Sequence, residues 1–265
     1  MPLINFVVEL KKMQLLLPHQ HLGFCHAPVC AVRRETTDRS EMVTQLTFGE
    51  TVEIVSQQNH WIEVQSLSDG YHGFVDRRHL IGLSEKEVRT WHDLRTIQQS
   101  LALVLDTPWG KQLIPAGSFI GMDSQFNIGN LTFDLHSRPI SQSSDELINS
   151  FINVPYLWGG KTSFGIDCSG FTQLYYRVIG INLSRDASEQ QQAGNSIEID
   201  EALPSDLFFF QNDKGNITHV GIYLGENQIV HASGRVRIDR LEHGNIWNDE
   251  LAEVTHQFHS IKRYR

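Results

Sequence analysis

Cysteine is scarce in this sequence. The 265 residues include three cysteines, Cys25, Cys30 and Cys168, and an odd number of cysteines in a long chain excludes a scaffold held together by disulfides. Cys25 and Cys30 lack the second pair of ligands that a zinc site needs, so we expect them to be packing residues. The cysteine content therefore indicates neither a secreted disulfide-rich fold nor a zinc finger.

Long apolar segments and an excess of positive charge are also lacking. No apolar run reaches the roughly 20 residues of a membrane-spanning helix. Glu9, Lys11 and Lys12 interrupt the segment in which a signal peptide would be apolar, so we expect a cytoplasmic mature chain. With 22 Lys and Arg residues against 31 Asp and Glu, the net charge is −9. This balance excludes a basic stripe, so nucleic acid and anionic membranes are not expected partners.

The first half of the chain is rich in short β-like runs. With 40% hydrophobic and 20% charged residues, the composition is globular, and the length fits one large domain or two to three small ones. Asp69-Gly70 predicts a hairpin turn, and the strand spacing favours a small barrel within residues 1–82. The run 101–105 predicts a further strand after a helix-like or linking segment at 84–99. We assign residues 83–140 to a second unit, either a degenerate repeat of the barrel or a linking β unit.

The composition changes near residue 140. Ser143 followed by Glu146 is a capping box, and apolar residues then recur at helical spacing, which predicts the start of a second domain over residues 141–265. A helix is predicted after Cys168, and strands from Asp206 onward. A helix that bears a cysteine, followed by an antiparallel sheet, is the order of papain-like cysteine peptidases. We therefore predict an α+β fold for this domain, preceded by one or two small β-barrels.

Cys168 has the surroundings of a nucleophile. It lies between glycines at the predicted start of a helix, where backbone amides and the helix dipole favour a thiolate and lower the thiol pKa below its ordinary value of about 8.5. The same amides are able to hold an oxyanion. A buried cysteine beside a tight turn would show the same local pattern, so the assignment depends on partners elsewhere in the chain.

His219 and His231 are the candidate partners. If Gly225-Glu226-Asn227 form a three-residue loop, His231 lies opposite Gly221, and both histidines lie on one face of the hairpin within side-chain reach. That arrangement suits one histidine as base and the other as the residue that orients it. A two-residue loop would place them on opposite faces. A metal site formed by both histidines and Cys168 is the alternative. Most of the other histidines, His256 among them, are expected at the surface.

Four short motifs follow one another in the second half of the chain: Trp158-Gly159-Gly160; Asp167-Cys168-Ser169-Gly170-Phe171; Pro204-Ser205-Asp206-Leu207; and His219-Val220-Gly221-Ile222-Tyr223 with His231-Ala232-Ser233. In this order they resemble the NlpC-type bacterial cell-wall cysteine peptidases, over roughly residues 145 to 265. The N-terminal part resembles the bacterial SH3-like barrels fused to such peptidases. The segments 40–50 and 183–188 are similar to the γ-D-glutamyl-L-diamino acid endopeptidase subgroup.

The resemblance implies an activity and a set of site residues. The expected reaction is cleavage of murein peptides between γ-D-glutamate and the diamino acid, on peptides with a free N-terminal L-alanine, and no cofactor or metal is expected. The missing signal peptide, and not the resemblance, indicates cell-wall recycling of imported peptides. Cys168 would be the nucleophile, His219 the base and His231 the residue that orients it. The implied substrate-binding residues comprise three that hold the ammonium group, Asp186, Glu41 and Tyr71, and four that line the pocket, Tyr156, Trp158, Asp167 and Ser169.

For three of these residues a purely structural role is the alternative. Glu41 would otherwise be a solvated surface acid, Tyr71 an aromatic residue of the sheet, and Trp158 an aromatic residue of the core. Two other classes of function also stay open. One is an acyltransferase or amidase on the same Cys/His/His scaffold, and the other is a non-catalytic module that binds the cell wall.

Overall fold

The computed structural model describes residues 20–137 and 140–264. The charged N-terminal segment on which the signal-peptide prediction depends lies outside these residues. Contacts within the chain separate two units, with the boundary between Gln142 and Ser143, and each unit is described by itself.

The first unit is built mainly from β-strands. Seven strands form a sheet in the order β3-β2-β6-β5-β4-β1-β7, four more form a sheet in the order β10-β9-β13-β12, and β8 pairs with β11. All of these pairings are antiparallel. The strands are β1 (Leu22–Cys25), β2 (Val29–Arg33), β3 (Met42–Thr47), β4 (Thr51–Gln58), β5 (Trp61–Ser66), β6 (His72–Asp76), β7 (Leu80–Leu83), β8 (Arg95–Ile97), β9 (Ala102–Thr107), β10 (Gly110–Pro115), β11 (Phe119–Gly121), β12 (Gln125–Ile128) and β13 (Leu131–Leu135).

The hairpin between β5 and β6 forms where the sequence predicts it. Gln65 pairs with His72 across the turn, and Gly70 has a φ of +72°. Glycine adopts this left-handed conformation without steric cost, which explains the Asp-Gly signal. The Asp69 carboxylate also accepts a hydrogen bond from the Tyr71 N–H at 3.2 Å, so the turn is held by its own side chain.

Residues 83–137 share a hydrophobic core with the seven-stranded sheet. The predicted helix-like segment contains helix α1 (Glu85–Leu94), which begins with a capping box of Ser84 and Glu87. Its Trp91 is buried against Phe24, with ring centroids 5.5 Å apart, and the indole N–H donates to the Gly49 carbonyl at 2.8 Å. The core formed around these side chains includes residues from both parts of the unit. The assignment of residues 83–140 to a degenerate barrel repeat or a linking β unit stays a prediction.

The second unit begins with the predicted capping box. The Glu146 carboxylate accepts from the Ser143 N–H at 2.8 Å, and the Ser143 hydroxyl accepts from the Glu146 N–H at 3.3 Å. The helix that follows buries its apolar face. The helices of this unit are α2 (Ser144–Phe151), α3 (Cys168–Val178) and α4 (Ala187–Gln192); its strands are β14 (Lys161–Thr162), β15 (Gly165–Ile166), β16 (Asn195–Ile197), β17 (Leu207–Gln211), β18 (Ile217–Gly225), β19 (Gln228–Ser233), β20 (Arg235–Glu242), β21 (Asn245–Asn248) and β22 (Glu253–Arg263).

Six of these strands close into a barrel. The order β22-β17-β18-β19-β20-β21 returns to its start because β21 also pairs with β22, and β16 joins the outer side of β22. Helix α3 packs against β18 and β19. This arrangement is the helix-on-antiparallel-sheet α+β fold that the sequence predicts.

Across residues 20–137 and 140–264, every helix is too short or too polar to span a membrane.

Candidate active site

Cys168 is the first residue of α3, as the sequence predicts. Asp167 is the N-cap, and its carboxylate accepts hydrogen bonds from the backbone N–H of Gly170 at 2.7 Å and of Gly159 at 2.9 Å. A side chain at position 170 would collide with the carbonyl oxygen of Gly160. The glycine and the N-cap aspartate together allow the loop before the helix to lie directly against its first turn, which sets the position of the sulfur.

Arg185 holds this N-cap from a separate loop. Its guanidinium is 1% exposed and lies 2.6 Å and 3.0 Å from the two oxygens of Asp167. It also donates to the Ser169 hydroxyl at 2.9 Å. Burial by itself would lower the pKa of Arg185, but the charge of Asp167 raises it. No site role is predicted for Arg185, because an arginine beside Asp186 carries no local sign that it is buried.

The electrostatics of Cys168 differ from the sequence expectation. The side chain is 7% exposed, and this burial, reinforced by the charge of Asp167, raises the thiol pKa to about 12. A hydrogen bond from the Val220 N–H to the sulfur lowers the pKa, but by less. The prediction of a lowered pKa is therefore wrong, because desolvation and the N-cap carboxylate outweigh the helix dipole. The resting residue is a thiol that lies against the strand carrying His219.

The hairpin that carries the two histidines has the predicted register at His231, but its turn differs from the predicted one. Gly221 pairs with His231, as expected. The turn, however, has two residues, Glu226 and Asn227, with φ of +51° and +56°, and Gly225 pairs with Gln228. A bulge between Tyr223 and Gly225 supplies the extra residue and restores the side-chain alternation that a two-residue loop would reverse. The predicted loop length is wrong, and the predicted placement of the histidines on one face is confirmed.

The two histidines form part of a buried chain of hydrogen bonds. His219 Nε2 lies 2.8 Å from His231 Nδ1, and His231 Nε2 lies 3.1 Å from the Asp239 carboxylate. Burial lowers the pKa of both imidazoles, that of His219 well below its ordinary value. Both rings are therefore neutral near pH 7. Asp239 is not among the predicted site residues. It lies on β20 beyond the turn at Gly234, and the alternation of β20 groups it with Arg235 and Arg237, opposite the apolar Val236 and Ile238.

His256 is also part of this cluster, so its predicted surface position is wrong. Its ring stacks on that of His219, with centroids 4.1 Å apart and planes 29° apart, because β22 closes the barrel next to β17. Burial, and then the charge of His231, lower the pKa of His256 to about 4. Strand β22 begins at Glu253, 20 positions after the histidine hairpin ends at Ser233, and nothing local in the sequence connects the two.

The three imidazoles bring their nitrogens within 4.8 Å of one another. Neutral histidines are metal ligands, so the set has the right chemistry. Its geometry is unsuitable, because a metal must lie in the plane of each ring that binds it, and the rings of His219 and His256 are nearly parallel. His219 Nε2 and His231 Nδ1 are moreover bonded to each other. The alternative of a metal site that uses Cys168 is also not supported, since the set contains His256 in its place.

The predicted pocket residues of this unit differ in exposure. Tyr156 is half-buried, and burial, followed by the charges of Cys168 and Asp167, raises its pKa, so its phenol stays protonated near the sulfur. Trp158 is 61% exposed, which excludes the core alternative. The Ser169 hydroxyl is buried between Asp167 and Arg185. Asp186 is partly exposed at the N-cap of α4.

Glu41 and Tyr71 belong to the first unit. Glu41 directly precedes β3 and Tyr71 directly precedes β6, and both strands run antiparallel to β2 between them. The two residues therefore lie at the same edge of the sheet. The Glu41 carboxylate is 2.7 Å from the Arg34 guanidinium, in a pair that is largely exposed.

Comparison with known proteins bears on both units. Residues 153–256 match the NlpC/P60 family, and residues 32–80 match the bacterial dipeptidyl-peptidase Sh3 domain. A γ-D-glutamyl-L-lysine dipeptidyl-peptidase of Bacillus subtilis (strain 168) is 30% identical over 216 residues, which cover 71% of this chain and 71% of that protein. A protein of the same name from Bacillus cereus is 26% identical over 231 residues, 74% of this chain and 68% of its own length.

A solved structure supports the fold. An NlpC/P60 family protein from Bacillus cereus superposes with a TM-score of 0.75 at 18% identity, over 92% of this chain and 99% of that one. At this identity the likeness concerns the papain-like architecture with its N-terminal SH3-like part. Taken with the relative that is similar over most of both lengths, these matches mean that the chain belongs to the NlpC/P60 family and is a cysteine peptidase with an N-terminal SH3-like domain.

Proposed function

We propose that this peptidase hydrolyses the γ-D-glutamyl–diamino acid bond of murein peptides that have a free N-terminal L-alanine. The observation that carries the proposal is Cys168 at the start of α3, with the Val220 N–H on its sulfur and the His219–His231 pair on the same hairpin. The names of the two Bacillus relatives, both γ-D-glutamyl-L-lysine dipeptidyl-peptidases, support the substrate class.

In the proposed reaction, His219 accepts the proton of the Cys168 thiol as the sulfur attacks the γ-glutamyl carbonyl carbon. Backbone N–H groups at the start of α3 stabilise the oxyanion. The imidazolium then donates its proton to the leaving amine as the C–N bond breaks, which leaves a thioester. Water, deprotonated by His219, attacks the thioester and releases the γ-carboxylate and the thiol. Because burial keeps resting Cys168 protonated, proton transfer accompanies the attack.

Recognition of the free amino terminus is assigned to carboxylates. We propose that Asp186 holds the substrate ammonium group, since an ion pair that is partly removed from water binds far more strongly than an exposed one. The roles that the resemblance implies for Glu41 and Tyr71 of the first unit stay predictions. Asp186 supports this assignment by its partial exposure next to the buried Arg185.

The remaining proposed contacts lie close to the nucleophile. Tyr156 and Trp158 would line the pocket, Trp158 with its exposed ring. Asp167 and Ser169 are buried and engaged with Arg185, so they would shape the pocket through Cys168 and the first turn of α3.

Replacing Asp186 is expected to weaken substrate binding and to leave the reaction of Cys168 with iodoacetamide unchanged.

The direct test is incubation with L-Ala-γ-D-Glu-diaminopimelate and its L-lysine counterpart, each with a free or an N-acetylated amino terminus. We expect mass spectrometry to show L-Ala-γ-D-Glu and the free diamino acid from the unblocked peptides alone, and no products with the Cys168→Ala variant. Equal cleavage of the acetylated peptides would contradict the proposed recognition of the ammonium group.

The same experiment separates the alternative functions. An acyltransferase would give new amides when amines are added, and an amidase would release a different fragment. Binding to murein without turnover of any peptide would identify a non-catalytic module.

We further propose that the enzyme acts in the cytoplasm on imported peptides, in cell-wall recycling. The odd number of three cysteines supports this proposal, because a secreted chain held together by disulfides would pair its cysteines. Fractionation of cells that produce the full chain tests the location, and recovery in the extracellular fraction would contradict it.

A further inference from the structure

A buried row of polar side chains begins at His219 and crosses three neighbouring strands. His219 lies on β18, His231 on β19 and Asp239 on β20, and their exposed fractions are 5%, 1% and 7%. The row continues to Arg237, whose guanidinium donates to the second oxygen of Asp239 at 2.9 Å and to Glu250 at 2.8 Å. Each polar contact in the row is thus shielded from water until it reaches Glu250 at the surface.

The row determines which nitrogen of His219 carries the proton. An ionised carboxylate only accepts hydrogen bonds, so His231 Nε2, 3.1 Å from Asp239, must be the protonated nitrogen of its ring. In a neutral imidazole the other nitrogen is then an acceptor. His231 Nδ1 therefore accepts from His219 Nε2 at 2.8 Å, and His219 Nδ1 is left with its lone pair free. That nitrogen is the one able to accept a proton from a thiol.

We propose that Asp239 is a positioning residue that, through His231, holds His219 in the tautomer in which Nδ1 acts as the base. The inference rests on the proposed roles of Cys168 and His219. Asp239 touches neither the sulfur nor the substrate, and it acts only through the direction of two hydrogen bonds. The general reason is that a base held in the wrong tautomer presents an N–H where a lone pair is required.

The charges that face Asp239 favour its ionised form. Burial by itself would raise the pKa of this carboxyl, but hydrogen bonds from His231 and Arg237 lower it below its ordinary value. Arg237 is itself held by Glu250. Among the described residues, His256 also packs on the row, where it stacks on His219 and is neutral near pH 7, and the Arg235 guanidinium contacts Glu250 at 2.6 Å.

Asp239→Asn is the sharpest test because it keeps the shape of the side chain and reverses both hydrogen bonds of His231. Arg237 is a donor, so it retains the amide oxygen and turns the NH2 group toward His231. His231 Nε2 then becomes an acceptor, His231 Nδ1 becomes the donor, and His219 is left with its proton on Nδ1. We expect kcat to fall on the order of 10³–10⁴-fold with little change in KM, while the fold, monitored by circular dichroism, is unchanged.

A readout without substrate makes the two proposals separable. In ¹⁵N-histidine-labelled protein, with signals assigned by the His219→Gln spectrum, wild-type His219 should show a protonated Nε2 and a bare Nδ1, and Asp239→Asn should show the reverse. If peptides are not cleaved but this tautomer is found, the proposed function fails and the positioning role of Asp239 stands. A wild-type His219 protonated on Nδ1 overturns the inference without reference to any variant.

Glu250→Gln is the matched control. It weakens the exposed contact to Arg237 and leaves the Asp239–His231–His219 row intact, so kcat and the tautomer should both stay at wild-type values. Equal losses in Glu250→Gln and Asp239→Asn would mean that the effect is a general loss of negative charge around Arg237, which would overturn the proposal. Retention of wild-type kcat by Asp239→Asn would overturn the proposal.

Discussion

Each unit has a cysteine near a histidine. The pKa of one of these thiols is lower than that of an ordinary cysteine, and the pKa of the other is higher. In the first unit Cys30 Sγ lies 3.2 Å from His79 Nδ1, and hydrogen bonds from Cys25 and then His79 lower the pKa of Cys30 to about 6. In the second unit burial raises the pKa of Cys168 to about 12. The thiol that is easier to ionise lies in a packed barrel core, and the one assigned to catalysis is harder to ionise.

The difference teaches that ionisation of the resting thiol does not mark the site. Cys30 is the second residue of β2 and is wholly buried, so no substrate carbonyl reaches it. Cys168 has backbone amides at the start of α3 and neutral histidines on the facing hairpin. A catalytic cysteine needs groups that stabilise charge as the reaction proceeds, and the position of these amides and imidazoles provides them.

The largest contrast is expected from removing each sulfur. Cys168→Ala should lower kcat for the unblocked peptide on the order of 10⁵-fold or more, because the acyl-enzyme cannot form. Cys30→Ala should change kcat/KM less than about twofold and destabilise the fold by 0.5–3 kcal/mol, as is common for substitutions in a core. Steady-state kinetics of both variants measures kcat and KM, and urea unfolding measures the change in stability. Substantial turnover by Cys168→Ala would refute its role as nucleophile.

A similar contrast is expected between the histidines. His219→Ala should reduce kcat by roughly 10⁴-fold, since thiol deprotonation and leaving-group protonation both depend on it. His231→Ala should cost less, because it orients the base and does not transfer the proton to substrate. His79→Ala, the counterpart in the first unit, should leave peptide cleavage unchanged. An ordering in which His231→Ala is the most severe would require exchanging the two assigned roles.

The two units also differ in their arginine–carboxylate pairs, and the free energy of unfolding of variants measures this difference. Arg185→Met leaves the Asp167 carboxylate buried and unpaired, which should destabilise the second unit by about 3–5 kcal/mol. Arg34→Met removes the exposed pair with Glu41, for which a loss of 0–1 kcal/mol is expected. Urea denaturation at pH 7 measures both values. Equal losses would show that the buried pair contributes no more than a surface one.

The pH dependence of alkylation tests the raised thiol pKa. For Cys168 we expect the rate with iodoacetamide to keep rising through pH 9, since each pH unit below the pKa changes the thiolate fraction about tenfold. The Cys168→Ala variant provides the background from the other thiols. A plateau reached below pH 7 would reveal a preformed thiolate–imidazolium pair and contradict the electrostatics described above.

The smallest effect is expected from His256. Its pKa is lowered to about 4 in the fold, so the unfolded chain binds more protons below its ordinary pKa of 6.5, and stability should decline as the pH falls from 6.5 toward 4. His256→Gln should reduce that decline by on the order of 1 kcal/mol. His79 should act in the opposite direction, because Cys30 raises its pKa and its contribution is lost as the pH rises. Urea unfolding at pH 4.5, 6 and 8 separates the two.

Local patterns were sufficient for parts of the fold. The capping box at Ser143, the turn at Gly70 and the start of α3 at Cys168 are all where the sequence predicts them, because each depends on residues within a few positions of one another. The register of the histidine hairpin was predicted from a loop of the wrong length. It is right only because a bulge before Gly225 compensates, and bulges have no reliable sequence signal.

The sequence by itself determined that Cys168 begins a helix and that the remaining cysteines are packing residues. The helix start follows from short-range chemistry, from glycines and a cap, whereas the shared face of His219 and His231 also needed the bulge before Gly225. The tertiary structure alone decided that Arg185 neutralises the N-cap, that Asp239 and His256 join the histidine pair, and that Cys168 is protonated at rest. Each of these depends on how completely distant segments exclude water and on which charges they bring together, and neither quantity is encoded in any local pattern.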